Sequence, residues 1–403
     1  MKKFLALMLA LVMVLALCAC GAAEPAAEEA PAEAPAAEAP AEEAAPAADG
    51  AYAGESVDIL FSTTFQETAT GGELVTFFKN TLEELTGGAI TVNVMYGGTL
   101  FQDPDALDGV ATGACQMTAL GHNPHADKLP LLCSVPDFAP DSVQNAIDYF
   151  NYLMFENPES SAALAAECEA NGVKMLGGLA GGANAFVANF DFDNLAGLLE
   201  GSAAFGNMEA AKFSALGFKA VEAVFPWDLY TSFDNGLIDA TQMASTSMLQ
   251  DGVAEVTTTW MYDNTYTAGN FMTVNLEWWN GLSADAQAAI QAAVDATAAY
   301  SVEKYVEALE SEAATLTDEY GIKLVEMTDE EFQTWWGVIM NSKVDDAMAK
   351  AAANGNVEEA EAVLNAAAEY TNFNLTAEQL EAAAVAAPAS GEPSGEPSEE
   401  PAA

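Results

Sequence analysis

The residues that could do chemistry in this chain are few, and their spacing argues for capture of a ligand rather than its conversion. The only two histidines stand three apart in His122-Asn123-Pro124-His125. Imidazole is the commonest metal ligand, but Pro124 prevents a regular helix here, and no adjacent carboxylate or cysteine completes a ligand set. No metal is therefore expected. The nucleophile elbow, the zinc-protease helix, the P-loop and the dinucleotide fingerprint are all absent. Gly177–Gly182 reads GGLAGG after a strand pattern but lacks the dinucleotide spacing and a following helix, so it is expected to be a crossing between lobes. No cofactor is expected either. What remains is a set of aromatic residues, Phe61, Phe186, Phe205, Trp227 and Tyr230, at the ends of expected strands or the starts of the helices after them. A single phenylalanine is usually core. As a set on consecutive crossovers, these five describe an aromatic cleft for a small molecule.

Composition narrows the partners. The 403 residues hold 61 acids against 11 basic residues, all of them lysine, for a formal net charge of −50. Nucleic-acid binding needs basic patches and is excluded. A hydrophobic content of 51% supports a large globular body, and the length calls for two lobes rather than one compact unit. Cys115, Cys133 and Cys168 are scattered singly, with no paired spacing, and are expected to be buried small residues rather than a disulfide framework or a zinc site.

The ends of the chain carry address and tether. Met1-Lys2-Lys3, the apolar run Phe4–Leu17 and then Cys18-Ala19-Cys20-Gly21 form a bacterial secretory signal. Its end resembles a lipobox, in which a small residue precedes a cysteine that is lipidated and becomes the mature N-terminus. Cys20 fits that role, over residues 1–20. Residues 21–54 are almost wholly Ala, Pro, Glu and Gly and are expected to form a disordered tether, with a second such tract as an acidic tail at 384–403. The folded body is expected over 55–383.

Within the body, strands are expected at Val57–Ser62, Ile90–Met95 and Cys115–Leu120. A helix at Gly72–Thr86 would turn Leu74, Phe77, Phe78, Leu82 and Leu85 to one face. Asp103-Pro104 reads as the start of the next helix. Ser142–Asn171 is helical in pattern, restarting at Asn157-Pro158, and Lys174–Leu179 and Ala185–Ala188 read as strands. Trp278-Trp279 is expected to be exposed. Ser283 caps a helix running to about Tyr320, unusually long for a globular protein. Ile322–Glu326 is a strand, Thr328–Glu331 a capping box, and Thr376–Gln379 a second one.

The stretch Leu195–Ala240 organises the rest. It reads as strand Ser202–Phe205, turn Gly206-Asn207, helix Met208–Leu216, strand Ala220–Val224 and short helix Trp227–Asn235, leading to a further strand. That order argues for a parallel sheet with ligand at the strand ends. Leu216-Gly217, Asp228-Leu229-Tyr230 and Gly236-Leu237-Ile238-Asp239-Ala240 occur in the order seen in the solute-binding proteins of TRAP transporters, the DctP-like family, which this chain resembles over roughly 55–345.

The resemblance implies an α/β, two-lobed fold of periplasmic-binding-protein type (type II-like) with a long helix spanning both lobes. Lobe I would take about 55–180 plus returning segments, and lobe II about 181–270 plus the C-terminal helices. It also implies a non-enzyme, lipid-anchored outside the cell membrane, that closes on a small organic solute and passes it to TRAP membrane subunits. Its cleft would be built from Phe61, Thr63, His122, Asn184, Phe186, Phe205, Asn207, Trp227, Tyr230 and Gln242. One departure bears on the solute. The family arginine that takes a substrate carboxylate corresponds to Gly201 or Phe205 here, and a second one, found in some members, to Asn184. Lysine does not reproduce that bidentate pairing, so a neutral or aromatic solute is expected to bind better than a C4-dicarboxylate. A lipoprotein of an ABC importer would share signal, tether and lobes. A secreted enzyme using cleft acids and a surface adhesin are readings from other classes.

Overall fold

The computed structural model describes residues 52–380 except positions 122, 137, 208–212, 222–223, 225–227 and 378. The signal peptide, Cys20, nearly all of the tether, and the tail lie outside the described residues, as do His122 and Trp227.

Two sheets form the body. The first has the order β2-β1-β3-β11-β5, from β1 (Val57–Ser62), β2 (Ile90–Met95), β3 (Met117–Gly121), β5 (Val173–Leu179) and β11 (Asn270–Asn275). β1 runs parallel to β2 and β3, whereas β11 is antiparallel to both β3 and β5. The second has the order β12-β10-β6-β9-β7-β8, from β6 (Gly182–Ala188), β7 (Phe205–Gly206), β8 (Ala220–Val221), β9 (Ala240–Ala244), β10 (Thr259–Thr267) and β12 (Lys323–Glu326), with β4 (Phe138–Pro140) on the edge of β10. Here the parallel reading of the 195–240 stretch holds only locally. β7 is parallel to β8 and β9, but β6 is antiparallel to β9 and to β10. The reason is that β6 and β10 are the strands that enter from and return to the first sheet, so they run against each other.

The helices follow the capping signals. In chain order they are α1 (Thr70–Leu85), α2 (Asp103–Ala111), α3 (Pro130–Ser134), α4 (Val143–Asn151), α5 (Pro158–Ala170), α6 (Leu195–Gly201), α7 (Leu229–Asp234), α8 (Ser245–Gln250), α9 (Leu276–Gly281), α10 (Ala284–Asp318), α11 (Asp329–Asn354) and α12 (Val357–Thr371). A π-helical turn at Tyr152–Glu156 follows α4, and Asn157 then caps α5. On α1, Leu74, Phe78 and Leu82 are buried at i, i+4 spacing. Phe77 stacks instead on Tyr300 of α10 at 4.1 Å, and Leu85 is exposed. Ser283 caps α10 through the Ala286 amide, and Thr328 and Glu331 close a full capping box on α11.

α10 is 35 residues long, hence about 52 Å at 1.5 Å per residue. Its first half packs Ala286, Ile290, Ala293 and Val294 into the core of the first sheet, and Leu316 near its end joins the core of the second. α11 does the same in the opposite sense. Phe332, Trp335 and Ile339 lie in the second core, and Val344, Ala347 and Met348 in the first. Trp279 is buried and Trp278 partly so, against the exposure expected for the pair, because α9 folds back onto the first sheet. Cys115, Cys133 and Cys168 are all buried, and none of them is in a disulfide.

Candidate functional site

The chain crosses between the sheets at β5–β6 and again at β10–β11. At the first crossing Gly181 N donates to Thr267 O at 2.8 Å, and Ala180 N donates to Ser301 Oγ of α10 at 2.9 Å. The GGLAGG run is thus a crossing, held by the long helix.

On the first sheet, the loops at the C-terminal ends of the parallel strands form one rim, the usual place for a ligand in such a sheet. Gly97 and Gly98 have φ of 65° and 67°, which lets their amides turn back onto Phe65 O and Thr63 O at 2.8 and 2.9 Å. Thr63 Oγ accepts from the Phe65 amide at 3.2 Å. Thr63 is thereby part of the frame of this rim. Phe61 sits below it with no exposed surface, its ring 5.8 Å from Phe78.

On the second sheet, three of the expected residues come together around one the sequence reading missed. β10 carries an irregularity between Tyr262 and Tyr266, with Asn264 at φ 56°. Such bulges leave ladder groups unpaired and re-aim side chains. Here the bulge turns Asp263 back on its own strand: Oδ1 accepts from Thr265 N at 2.9 Å and from Thr265 Oγ at 2.7 Å. Its Oδ2 accepts from Gln242 Nε2 of β9 at 2.9 Å. Asn184 Nδ2 of β6 donates to Thr265 Oγ at 3.0 Å, and Asn207 Nδ2 donates to the Gln242 carbonyl oxygen at 2.7 Å. Asn207 stands at the C-terminal end of β7, where a parallel strand presents ligand-binding groups.

Asp263 is wholly buried. Burial pushes its carboxyl above the ordinary aspartate range, against the hydrogen bonds from Thr265 and Gln242 that hold it down. Trp335 Nε1 faces the same carboxylate without closing a hydrogen bond. None of the described lysines joins this network.

The aromatic residues divide. Phe186 and Phe205 have no exposed surface and fill a core with Phe213, Phe218 and Trp335; Phe205 stacks on Phe218 at 4.1 Å, and Phe186 meets Trp335 edge-on at 5.0 Å. Phe186 pairs directly with Gln242 across β6 and β9, so these rings lie on the same sheet face as the polar network. Tyr230 is exposed on α7. A strand-end aromatic pattern marks a packed layer as readily as a cleft wall, and the choice rests on helices far away in sequence. Asp263 had a legible signal: a lone acid in the otherwise neutral strand Thr259–Thr267.

His125 is buried, and desolvation lowers its pKa, with Asp103, Lys128 and Asp108 the charges around it. No group of three or more His, Cys, Asp or Glu that could hold a metal occurs among the described residues. Among them, too, no helix is long and apolar enough to cross a membrane.

Residues 61–353 match the family described as DctP, bacterial extracellular solute-binding protein, family 7. The chain belongs to this family. It is 27% identical over 304 residues to the C4-dicarboxylate-binding periplasmic protein DctP of Rhodobacter capsulatus, covering 73% of this chain and 87% of that one. The fold is that of a TRAP periplasmic solute-binding protein from Ochrobactrum anthropi whose C-terminus is bound in its ligand-binding pocket. That match has a TM-score of 0.65 at 21% identity, over 79% of this chain and 99% of the other. It is also that of a TRAP periplasmic solute-binding protein from Chromohalobacter salexigens with bound D-glucuronate, with a TM-score of 0.62 at 16% identity, over 78% and 100% of the two chains. DctP-family membership and a two-lobed α/β solute-binding fold therefore describe this protein, as the Leu195–Ala240 motifs implied.

Proposed function

We propose that this DctP-family protein is a lipid-anchored receptor that captures a small, uncharged organic solute between its two lobes and delivers it to TRAP-type membrane subunits. The single observation that carries the solute class is the Asn184–Thr265–Asp263–Gln242 network, in which Asn184, at the position of the second arginine found in some family members, is tied through Thr265 to a buried acid. The R. capsulatus relative is named for C4-dicarboxylates and the C. salexigens protein holds D-glucuronate, both anionic. An anion set against Asp263 without a cationic partner would face a desolvation cost of roughly several kcal/mol. The mechanism is closure driven by binding: a solute that touches both rims only in the closed form stabilises that form by its differential affinity. Binding without chemistry is the whole of the role.

The anchor rests on Cys20 and its flanking residues. Cys20→Ser should leave the precursor uncleaved and release the protein from the membrane fraction. The solute class is tested by calorimetry on the purified chain. Succinate and malate should bind weakly beside a tight uncharged compound, and tight dicarboxylate binding would overturn the assignment.

A further inference from the structure

We propose that Glu312, Tyr262 and Ser245 form a binding site for a single internal water molecule, which joins the long helix α10 to the second sheet. Tyr262 packs against the core that also holds Leu316 of α10, whereas its neighbour Asp263 faces Trp335 of α11 on the other side of β10. The site is therefore separate from the polar network around Asp263 and independent of the solute class.

Three elements each bring one polar group to the edge of an apolar core. Trp260 and Met243, just before Tyr262 and Ser245 in the chain, belong to that core, as does Leu316, one turn after Glu312. Glu312 is 4% exposed and Ser245 0%, and the Tyr262 hydroxyl is sealed with them, so bulk solvent reaches none of these oxygens. Both hydroxyls stand near enough to Glu312 to pull on its titration. Even so, neither carboxyl oxygen and neither hydroxyl closes a hydrogen bond. Four polar oxygens thus stand close to one another, buried and out of bonding contact. Unpaired buried groups are costly, and native interiors satisfy them with ordered water that makes about three hydrogen bonds.

Proton count selects water over other occupants. An ionised Glu312 offers acceptors alone, and each hydroxyl has one proton to give. A water gives its two protons to the carboxylate and takes one from each hydroxyl, so every group is satisfied. A cation would take lone pairs of the hydroxyl oxygens and leave both of their protons without an acceptor. Burial lifts the Glu312 carboxyl to about 7, so near neutral pH part of the molecules carry it protonated. There the water accepts from Glu312 and from one hydroxyl, donates to the other, and still bridges all three residues. The bridge ties the half of α10 that lies on the second lobe to the strand that returns to the first sheet.

A high-resolution crystal structure of the purified chain gives the direct test. A density peak about 2.7–3.2 Å from Glu312, Tyr262 and Ser245 is expected. Direct hydrogen bonds from Tyr262 or Ser245 to Glu312, with no peak between them, overturn the proposal. So does a peak at about 2.3–2.6 Å, the distance of a hard cation from its oxygen ligands. In solution, oxygen-17 magnetic relaxation dispersion counts waters held inside a protein for longer than it takes to tumble. Glu312→Met removes both carboxyl oxygens at similar side-chain length and should lower that count by about one water per chain. An equal count refutes the site. Glu312→Gln keeps a polar group facing the hydroxyls and should leave the count unchanged, and a fall there too refutes the site. Should Glu312→Met fail to fold, the wild-type crystal density decides alone.

Discussion

Gly181 and Gly269 lie against each other where the two crossings pass: a Cβ placed on Gly181 would stand 2.8 Å from Gly269 Cα, and one on Gly269 2.9 Å from Gly181 Cα. The contact on each side is backbone, which cannot swing away. Gly181→Ala should therefore force the crossings apart. The expected loss is about 1–3 kcal/mol in urea unfolding. A variant as stable as wild type would show that the crossings have slack.

Asp239, the acid of the Gly236–Ala240 motif, fastens the start of β7. It accepts from Ser202 Oγ at 2.8 Å, Ala203 N at 2.7 Å and Ala204 N at 3.1 Å, while its own amide donates to Ala204 O at 2.9 Å. Asp239→Ala strands these donors and should cost about 2–3 kcal/mol, with Asp239→Asn recovering part of it. Thermal unfolding of the three proteins side by side gives the answer; an unchanged Asp239→Ala midpoint refutes the fastening role.

Glu312 of α10 is buried with neither oxygen hydrogen-bonded, facing the equally unpartnered hydroxyls of Tyr262 and Ser245. Desolvation raises its pKa from 4.5 to about 7, against the pull of Ser245 and Tyr262. A folded-state pKa above the unfolded one means the native state binds the extra proton, so the contribution is full below pH 4.5 and is lost as pH rises toward and through 7. Glu312→Gln removes that loss. It should match wild type near pH 4.5 and exceed it at pH 8 by about 2 kcal/mol. Parallel pH profiles of stability for the two proteins would contradict this.

Glu167 carries the same sign on the other lobe. Its oxygens accept from Leu131 N and Leu132 N, each at 2.9 Å, at the start of α3, yet desolvation pushes its pKa up to about 7. Glu167→Gln keeps one acceptor and gains a donor with no partner there. The raised pKa means that burial of the charge outweighs the two bonds, so wild type should lose stability between about pH 5 and pH 8 while Glu167→Gln, which carries no charge, loses less over the same range. Parallel pH profiles of stability for the two proteins would refute this.

Local signals in the sequence settled much of this fold. Alternation placed β1 and β2 at Val57–Ser62 and Ile90–Met95, where they are found, because a strand with one face on a core repeats every two residues. Ser283 and the Thr328–Glu331 box marked the starts of α10 and α11, since a cap needs only residues three apart. The order of the Leu195–Ala240 motifs carried the family. Asn184, Asn207 and Gln242 were expected from the sequence, but not the hydrogen bonds that unite them. Asp263 meets Gln242 across 21 residues, and Thr265 meets Asn184 across 81, through the register of β6, β9 and β10 and the bulge in the last. The same holds for Phe186 and Phe205, whose strand-end positions suggested a cleft until Trp335 of a distant helix closed over them. Periodicity and caps are short-range physics and are written in the chain. Which buried acid holds which amide depends on long-range strand pairing, and only the folded structure decides it.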